Sequence, residues 1–276
     1  MRRLVVSSLT VATLLLCLLQ VQVLPADINL ANRSTLETIL KRGELRVGFT
    51  SGFMPFQMTD KKGKYVGFDI DMAEEMAKAM GVKFVPVNTP WESLIPALTA
   101  NKFDIIMGGM TITQERNLKI NFADPYMVVG QTILVASKHE DKVKSYEDLN
   151  ESKYIVTSGA GTTAEQTIKD LIPKAKYKSF ANVGDAALDV VNGKADAFVF
   201  DLPYCVVFNA QHPKAKLVFL DRPLTYEPLA WGINKGDPDF LNWLNNFIRQ
   251  MRNDGRYERI YKKWFRDTAW IQDIQQ

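Results

Sequence analysis

The chain has few of the residues that cross-link small proteins or bind metals. Its 276 residues include two cysteines, Cys17 and Cys205, and two histidines, His139 and His212. Cys17 lies in an N-terminal apolar run, so removal of that run would leave a single cysteine, which cannot form an internal disulfide. No His, Cys, Asp or Glu group has metal-ligand spacing, and no serine or cysteine stands in a nucleophile motif. The sequence therefore predicts no metal, no cofactor and no enzymatic activity.

An excess of charge of one sign is also missing. The chain has 34 basic and 31 acidic residues, and its densest basic group is only Lys61, Lys62 and Lys64. A nucleic-acid-binding protein usually has a basic patch or stripe, so we expect no nucleic-acid partner. Hydrophobic residues make up 46% of the chain. That content and length favour two modest domains, each with a buried core.

Only one stretch is long and apolar enough to suggest a membrane-related segment. Two arginines precede the apolar run Leu4–Leu19, and Ala26 stands before a polar sequence. This pattern is typical of a secretory signal peptide, here 1–26, and it predicts export to the periplasm. Two alternatives stay open: the run could remain as an uncleaved anchor, or Cys17 could be lipidated.

Beyond that run, short β-branched or aromatic segments alternate with helical patterns, which predicts an α/β fold with largely parallel sheets flanked by helices. Two such series lie on either side of a break near 126–131, and the chain crosses again near 223–227. We therefore expect two lobes. Two helices are predicted to begin at aspartate N-caps, Asp69 and Asp185, and to stop at Gly81 and Gly193.

The segments that follow predicted strands contain groups suited to an anion. In open α/β sheets, ligands bind beyond the carboxyl ends of the strands. One such end continues into a glycine-rich segment that includes Thr111 and Arg116, and the guanidinium of an arginine matches a carboxylate. Another strand leads into Ser158–Thr163 and a helix, whose N-terminus presents free N–H groups and a positive dipole end.

Other strand ends offer a complementary set of groups. Asp201 follows a predicted strand and could bind an ammonium, while Phe53 and Trp91 could sandwich an organic side chain. Each also has a structural interpretation: Arg116 could form an ion pair, Asp201 could cap a helix, and the aromatic rings could be core residues. Taken together, an anion-binding group, a carboxylate and two aromatic walls predict a site for a zwitterion, such as a free amino acid.

These motifs resemble family 3 of the bacterial extracellular solute-binding proteins, the amino-acid receptors of ABC importers, over essentially all of residues 36–266. The resemblance implies a two-lobed periplasmic-binding-protein fold of type II with a two-strand hinge. Its lobes would be 27–130 with 226–276, and 131–225. The motifs that carry it are Gly48 to Phe56 with Tyr65 to Asp71, Trp91 with Leu94 to Leu98, Gly109 to Arg116 with Asp124-Pro125-Tyr126, and Ala195 to Asp201 with Trp264-Phe265.

By this resemblance, Arg116 binds the α-carboxylate, helped by the Thr111 hydroxyl and by the backbone at Gly109 and Thr162. Asp201 binds the α-ammonium together with the Gly109 carbonyl, and the two aromatic residues flank the ligand side chain. Closure of the lobes around the ligand would create the form that the permease recognises. The full set of expected ligand-binding residues is Arg116, Asp201, Thr111, Gly109, Thr162, Phe53, Trp91, Asp69, Thr50 and Gly161.

The ligand side chain is not specified by these motifs. Thr50 and Thr157 stand where related receptors can have charged residues that read the side chain, which favours a neutral amino acid, although arginine or lysine between Phe53 and Trp91 stays open. A cyclohexadienyl dehydratase of the same fold is one alternative, but its glutamate is replaced here by Tyr204. A ligand sensor for a chemoreceptor is another. We expect a monomer.

Overall fold

A computed structural model gives the structure of the protein and describes residues 34–220 and 222–274. The predicted signal peptide and the lipidation site at Cys17 lie outside these residues. In the described part of the chain, no helix combines the length and apolar character needed to cross a membrane.

The first sheet has five strands in the order β4-β1-β5-β14-β6. β1 pairs in parallel with β4, from Glu44 opposite Lys83 to Phe49 opposite Asn88, and also with β5. β14 is antiparallel to both β5 and β6, so this sheet is mixed. Its strands are β1 (Glu44–Phe49), β4 (Lys83–Asn88), β5 (Ile105–Ile106), β6 (Asn121–Phe122) and β14 (Gly232–Ile233).

The second sheet also has five strands, in the order β10-β9-β11-β8-β12. β9 is parallel to β10 and β11, whereas β8 is antiparallel to β11 and β12. The central β8 and β11 are buried along their whole lengths, as expected of strands covered on both faces. The strands are β8 (Gln131–Val135), β9 (Ile155–Gly159), β10 (Lys176–Phe180), β11 (Ala197–Asp201) and β12 (Val218–Leu220).

Two short strands connect these sheets. β7 (Met127–Val129) and β13 (Glu227–Leu229) pair antiparallel, with Glu227 opposite Val129. They fall at the two predicted crossings of the chain, so the two-lobed α/β architecture is confirmed. A further hairpin, β2 (Met58–Thr59) with β3 (Tyr65–Val66), lies within the N-terminal half.

The α-helices flank the sheets. They are α1 (Thr35–Arg42), α2 (Phe68–Met80), α3 (Leu94–Thr99), α4 (Gln114–Asn117), α5 (Thr163–Leu171), α6 (Val183–Val191), α7 (Leu202–Gln211), α8 (Pro238–Asn253) and α9 (Arg256–Tyr261).

Both predicted aspartate caps were wrong, because each helix begins earlier than the sequence suggested. The residue before α2 is Gly67, and Asp69 lies in the first turn of the helix. The residue before α6 is Asn182, whose side chain accepts a hydrogen bond from the Gly184 N–H, and Asp185 lies in the first turn. An acidic residue in a first turn still interacts favourably with the helix dipole. Neither aspartate therefore marks the start of its helix.

Candidate ligand-binding site

A cavity lies between the two sheets, at the ends of their central strands. Thr50 follows β1, Gly108 follows β5 closely, and Asp201 is the last residue of β11. This is the edge at which α/β sheets bind ligands. Eight of the ten predicted site residues line the cavity: Thr50, Phe53, Trp91, Gly109, Thr111, Arg116, Thr162 and Asp201.

Arg116 is held in place by groups from both sides of the cleft. Its Nη1 donates to the carbonyl oxygen of Thr111 at 2.9 Å, and its Nη2 donates to the Gly161 carbonyl oxygen at 3.2 Å. The guanidinium carbon lies 5.3 Å from the centre of the Trp91 ring, a cation–π distance. A guanidinium has five N–H donors, so donors remain for a carboxylate in the cavity. Burial lowers the Arg116 pKa, and the negative charges of Glu227 and Asp201 oppose that shift.

Gly161 contacts residues on the opposite side of the cleft, but it does not line the cavity that contains Arg116 and Asp201. Its carbonyl oxygen accepts hydrogen bonds from Arg116 and from Trp91 Nε1, the latter at 3.0 Å. The loop after β9 is thereby joined to residues that follow strands of the first sheet. Gly161 lines an adjoining cavity together with both of these residues. The structure therefore places its carbonyl as an acceptor for protein donors across the cleft.

The N-terminus of α5 faces the cavity. The Thr162 hydroxyl donates to the Gly159 carbonyl at 2.7 Å and accepts from the Glu165 N–H at 3.4 Å, so it acts as the helix cap. Thr162 and Thr163 both line the cavity. Because the hydroxyl of Thr162 is used within the protein, an anion would be met here by backbone N–H groups and the positive end of the helix dipole.

Asp201 is buried in the cavity wall, and its side chain has no hydrogen-bond or ion-pair partner in the described part of the chain. It precedes α7, but its side chain makes no capping hydrogen bond, so the helix-cap interpretation does not hold. Its side chain is only 6% exposed. Burial, with a smaller contribution from the charge of Glu227, raises the Asp201 pKa to about 8 against the opposing charge of Arg116. A buried carboxylate that lacks a partner is costly, and a ligand ammonium in the cavity would compensate it.

Glu227 is a charged neighbour of the site that the sequence analysis missed. It lies on β13, is 4% exposed, and has a buried Oε2 with no hydrogen-bond partner among the described residues. Among the charges acting on Arg116 it has the largest influence, ahead of Asp201. In the sequence this segment is predicted only as a connection, and the one signal in it is an acid placed between Tyr226 and Pro228.

Phe53 and Trp91, the two aromatic residues expected to flank a ligand, both line the cavity, and Phe53 also packs against other protein rings. Phe53 stacks on Phe56 at 4.6 Å between ring centres and meets Phe200 of the second sheet edge-on at 5.4 Å. Gly109 lies directly against the Phe53 ring: a Cβ atom there would fall 2.2 Å from a ring carbon, and its φ is +63°. Both the space and the backbone conformation at this position require glycine.

Two positions expected to contact the ligand have protein partners instead. Asp69 is fully buried outside the lining of the cavity, and the Tyr126 hydroxyl donates to its Oδ2 at 3.2 Å. Burial raises the Asp69 pKa to about 7, and both the Tyr126 hydroxyl and the Gly109 N–H oppose this. Thr157 is also fully buried, with its hydroxyl donating to the Ala186 carbonyl, so it does not read a side chain.

Among the uncharged polar residues that line the cavity, Thr50 and Gln57 differ in their partners. The Thr50 hydroxyl donates to the Thr89 carbonyl at 2.8 Å. Gln57 was not predicted; it is 1% exposed, and its Oε1 is buried without a hydrogen-bond partner among residues 34–220 and 222–274. Nothing in the sequence indicates that Gln57 lines the cavity, because it lies in an irregular segment after Phe53. The β-bridge between these two residues folds that segment back towards the cavity.

Comparison with known proteins gives a consistent picture. The family model described as bacterial extracellular solute-binding proteins, family 3, matches residues 45–267. A Wolinella succinogenes protein, described as a binding component of an ABC transporter and solved with lysine, is 54% identical with a TM-score of 0.81, over 84% of this chain and 100% of that one. The ABC transporter arginine-binding protein 1 of Escherichia coli is 30% identical over 80% of this chain and 90% of its own length.

An enzyme is also among the relatives. The cyclohexadienyl dehydratase of Pseudomonas aeruginosa is 27% identical over 85% of this chain and 87% of its own length. The same fold therefore serves binding proteins and an enzyme, so the residues of the site have to decide between them.

Proposed function

The chain belongs to family 3 of the bacterial extracellular solute-binding proteins, and from this membership we propose that it is the substrate-binding component of an amino-acid ABC importer. It captures a free L-amino acid in the cleft and delivers it to a permease. The observation that carries this proposal is the placement of Arg116 and Asp201 in the lining of one cavity, where the Asp201 side chain makes no capping hydrogen bond.

The two charged groups match the two ends of an amino acid. The ligand carboxylate binds the free donors of Arg116 and the N-terminus of α5, where charge-assisted hydrogen bonds are strong. The ligand ammonium binds Asp201, which compensates a buried carboxylate. The side chain then lies against Phe53 and Trp91. Arg116 follows β5 of the first sheet, and Asp201 is the last residue of β11 in the second. One ligand that binds both residues therefore bridges both lobes.

A ligand that bridges the two lobes stabilises the closed arrangement of the cleft. A ligand shifts a conformational equilibrium only by binding one state better than the other. A ligand can contact both lobes only when the cleft is closed. The hydrogen bonds from Arg116 and Trp91 to the Gly161 carbonyl likewise cross the cleft and would be lost when it opens. Rotation at β7 and β13 would open it, as in hinge-type binding proteins. The proposed lobes are 27–130 with 226–276, and 131–225.

A cationic amino acid is the ligand class that we propose. The sequence analysis favoured a neutral one, chiefly because Thr50 and Thr157 carry no charge. Thr157 loses that weight because it does not line the cavity. Two of the relatives above are described with lysine or arginine, which supports a cationic side chain. Stacking of such a side chain on aromatic rings adds a cation–π contribution.

An enzymatic role is less well supported by the site. The position three residues after Asp201 holds Tyr204, which is 1% exposed and packs against Phe53, Phe198 and Phe200. Burial and nearby charges raise the pKa of this phenol above its usual range, so it is a poor proton donor. We therefore propose a binding protein without catalytic activity. We further propose, as expected from the sequence, that it is exported through its signal peptide to the periplasm and acts as a monomer.

Isothermal titration of the purified protein, first partly unfolded and refolded to remove carried-over ligand, tests this proposal. We expect lysine or arginine to bind, and Arg116→Ala to weaken that binding about 100-fold or more, because a buried charged partner is lost. The control is Arg249→Ala, which removes an exposed arginine on α8. Binding of prephenate in place of any amino acid would contradict the proposal.

A further inference from the structure

Gln57 lines the cavity from the first lobe, and its backbone is fixed by a turn. Its N–H donates to the Phe53 carbonyl, and its own carbonyl oxygen accepts from the Gly52 N–H, both at 3.0 Å. The residues on either side, Phe56 and Met58, are almost fully buried. Because Gln57 itself is only 1% exposed, its amide has little freedom and is held in place before a ligand binds.

The amide end of this side chain lies beside Gly108, just after β5. A Cβ atom on Gly108 would be 3.5 Å from the Gln57 Nε2 atom, and both residues line the cavity. The Oε1 atom of the same amide is buried and accepts no hydrogen bond from any residue in 34–220 or 222–274. A buried amide oxygen without a donor is unfavourable, and native proteins rarely retain one without a reason.

In the proposed complex, the two ends of the amino acid have other partners. The α-carboxylate is bound by Arg116 and the N-terminus of α5, and the α-ammonium is bound by Asp201. The part of the ligand left for Gln57 is the side chain, whose proposed wall, Phe53, is joined to Gln57 by a β-bridge. An amide oxygen accepts a hydrogen bond from an N–H group. It therefore fits a side chain that ends in an ammonium or a guanidinium.

We propose that Gln57 is a specificity-determining residue, whose Oε1 accepts a hydrogen bond from the nitrogen at the end of the ligand side chain. This inference rests on the proposed function. A hydrocarbon side chain would leave the oxygen unpaired, so the site discriminates against it. A residue that only stabilised the turn would instead affect the free energy of unfolding and would affect all ligands equally.

The test compares lysine with norleucine, which has the same carbon chain without the ε-ammonium. Both affinities are measured by isothermal titration of the purified wild type and of Gln57→Met, with norleucine in competition with lysine. Methionine has nearly the volume of glutamine but only a weak acceptor. We expect the ratio of lysine affinity to norleucine affinity to fall about tenfold or more, as for a lost hydrogen bond to a charged group. The free energy of unfolding without ligand should not fall, because the lost oxygen has no partner among the described residues.

Gln57→Glu is the second variant, because it keeps the shape of the side chain and replaces the amide oxygen by a stronger acceptor. We expect its affinity ratio to rise about threefold or more. If Gln57→Met does not fold, this variant decides: a ratio no higher than that of the wild type would overturn the inference.

The matched control is Gln250→Met, which makes the same chemical change at an exposed position on α8. Its affinity ratio should stay within about twofold of the wild type. An unchanged ratio in Gln57→Met, or an equal loss of both ligands, would also overturn the inference. Failure of the wild type to bind any amino acid would instead refute the proposed function.

Discussion

Two buried aspartates differ in their positions relative to the cavity: Asp201 lines it, and Asp69 lies outside its lining. Both are almost fully inaccessible to solvent, and burial raises the pKa of Asp69 to about 7 and that of Asp201 to about 8. Asp69 accepts a hydrogen bond from the Tyr126 hydroxyl through Oδ2, while its Oδ1 is buried without a partner among the described residues. Asp201 makes no capping bond and lines the cavity. Under the proposed function, this contrast predicts that substitution of Asp69 acts mainly on stability and substitution of Asp201 mainly on ligand binding.

Asp201→Asn should have the largest effect on binding. We expect lysine affinity to fall about 100-fold or more, because the ligand ammonium loses its buried carboxylate. Isothermal titration checks this. If affinity stays within about threefold of the wild type, Asp201 is not the ammonium partner and the contrast with Asp69 fails.

The same variant should make the ligand-free protein more stable at alkaline pH. Since the folded-state pKa of Asp201, about 8, lies above its ordinary value of 3.8, the folded state holds the proton more tightly, and stability falls as pH rises through that interval. Asparagine removes this loss. At pH 8 we expect a free energy of unfolding about 1–3 kcal/mol higher than that of the wild type, measured by urea denaturation.

Asp69→Ala should show the opposite pattern. Removing its carboxyl leaves the buried Tyr126 hydroxyl without its acceptor, so the free energy of unfolding should fall by about 1–3 kcal/mol. Lysine affinity, in contrast, should change less than about fivefold, because Asp69 does not line the cavity. Denaturation and titration on the same preparation separate the two effects. A large loss of affinity with unchanged stability would make Asp69 a ligand-binding residue after all.

Trp91→Phe should have the smallest effect and sharpens the contrast. It keeps an aromatic wall but removes the indole N–H that donates to the Gly161 carbonyl. That carbonyl retains its second donor, Arg116, so we expect lysine binding to weaken only about two- to tenfold, the value of one hydrogen bond. An effect as large as that of Asp201→Asn would mean that contacts across the cleft dominate affinity.

Much of this site could be predicted from the sequence because its residues follow strands. Arg116, Asp201 and Trp91 each come after an apolar segment, and parallel strands bring their carboxyl ends to the same edge of a sheet. The position of a residue in the sequence, however, does not specify the face of the sheet to which its side chain points. Thr157 lies on β9, in line with the glycine-rich turn, yet its side chain points to α6 and bonds to the Ala186 carbonyl. Side chains alternate between the faces of a strand, so a one-residue difference decides which residue reaches the cavity.

Other features depended on contacts between distant parts of the chain. Glu227 lies on β13, which pairs with β7 about 100 positions earlier and runs beside the segment that leads to Arg116. Two elements of the second lobe were also missed. β10 lies at the edge of its sheet, and its alternation of lysine with an aromatic residue is interrupted by Ser179. α7 carries Pro203 in its first turn and is apolar on most sides. Neither has the periodicity by which strands and helices are usually recognised.

The most direct measurement is a crystal structure of the protein with lysine. The account predicts the ligand carboxylate within hydrogen-bond distance, about 3 Å, of the Arg116 guanidinium, and its α-ammonium equally close to Asp201. Lysine bound outside this cavity, or bound with its α-ammonium away from Asp201, would contradict it.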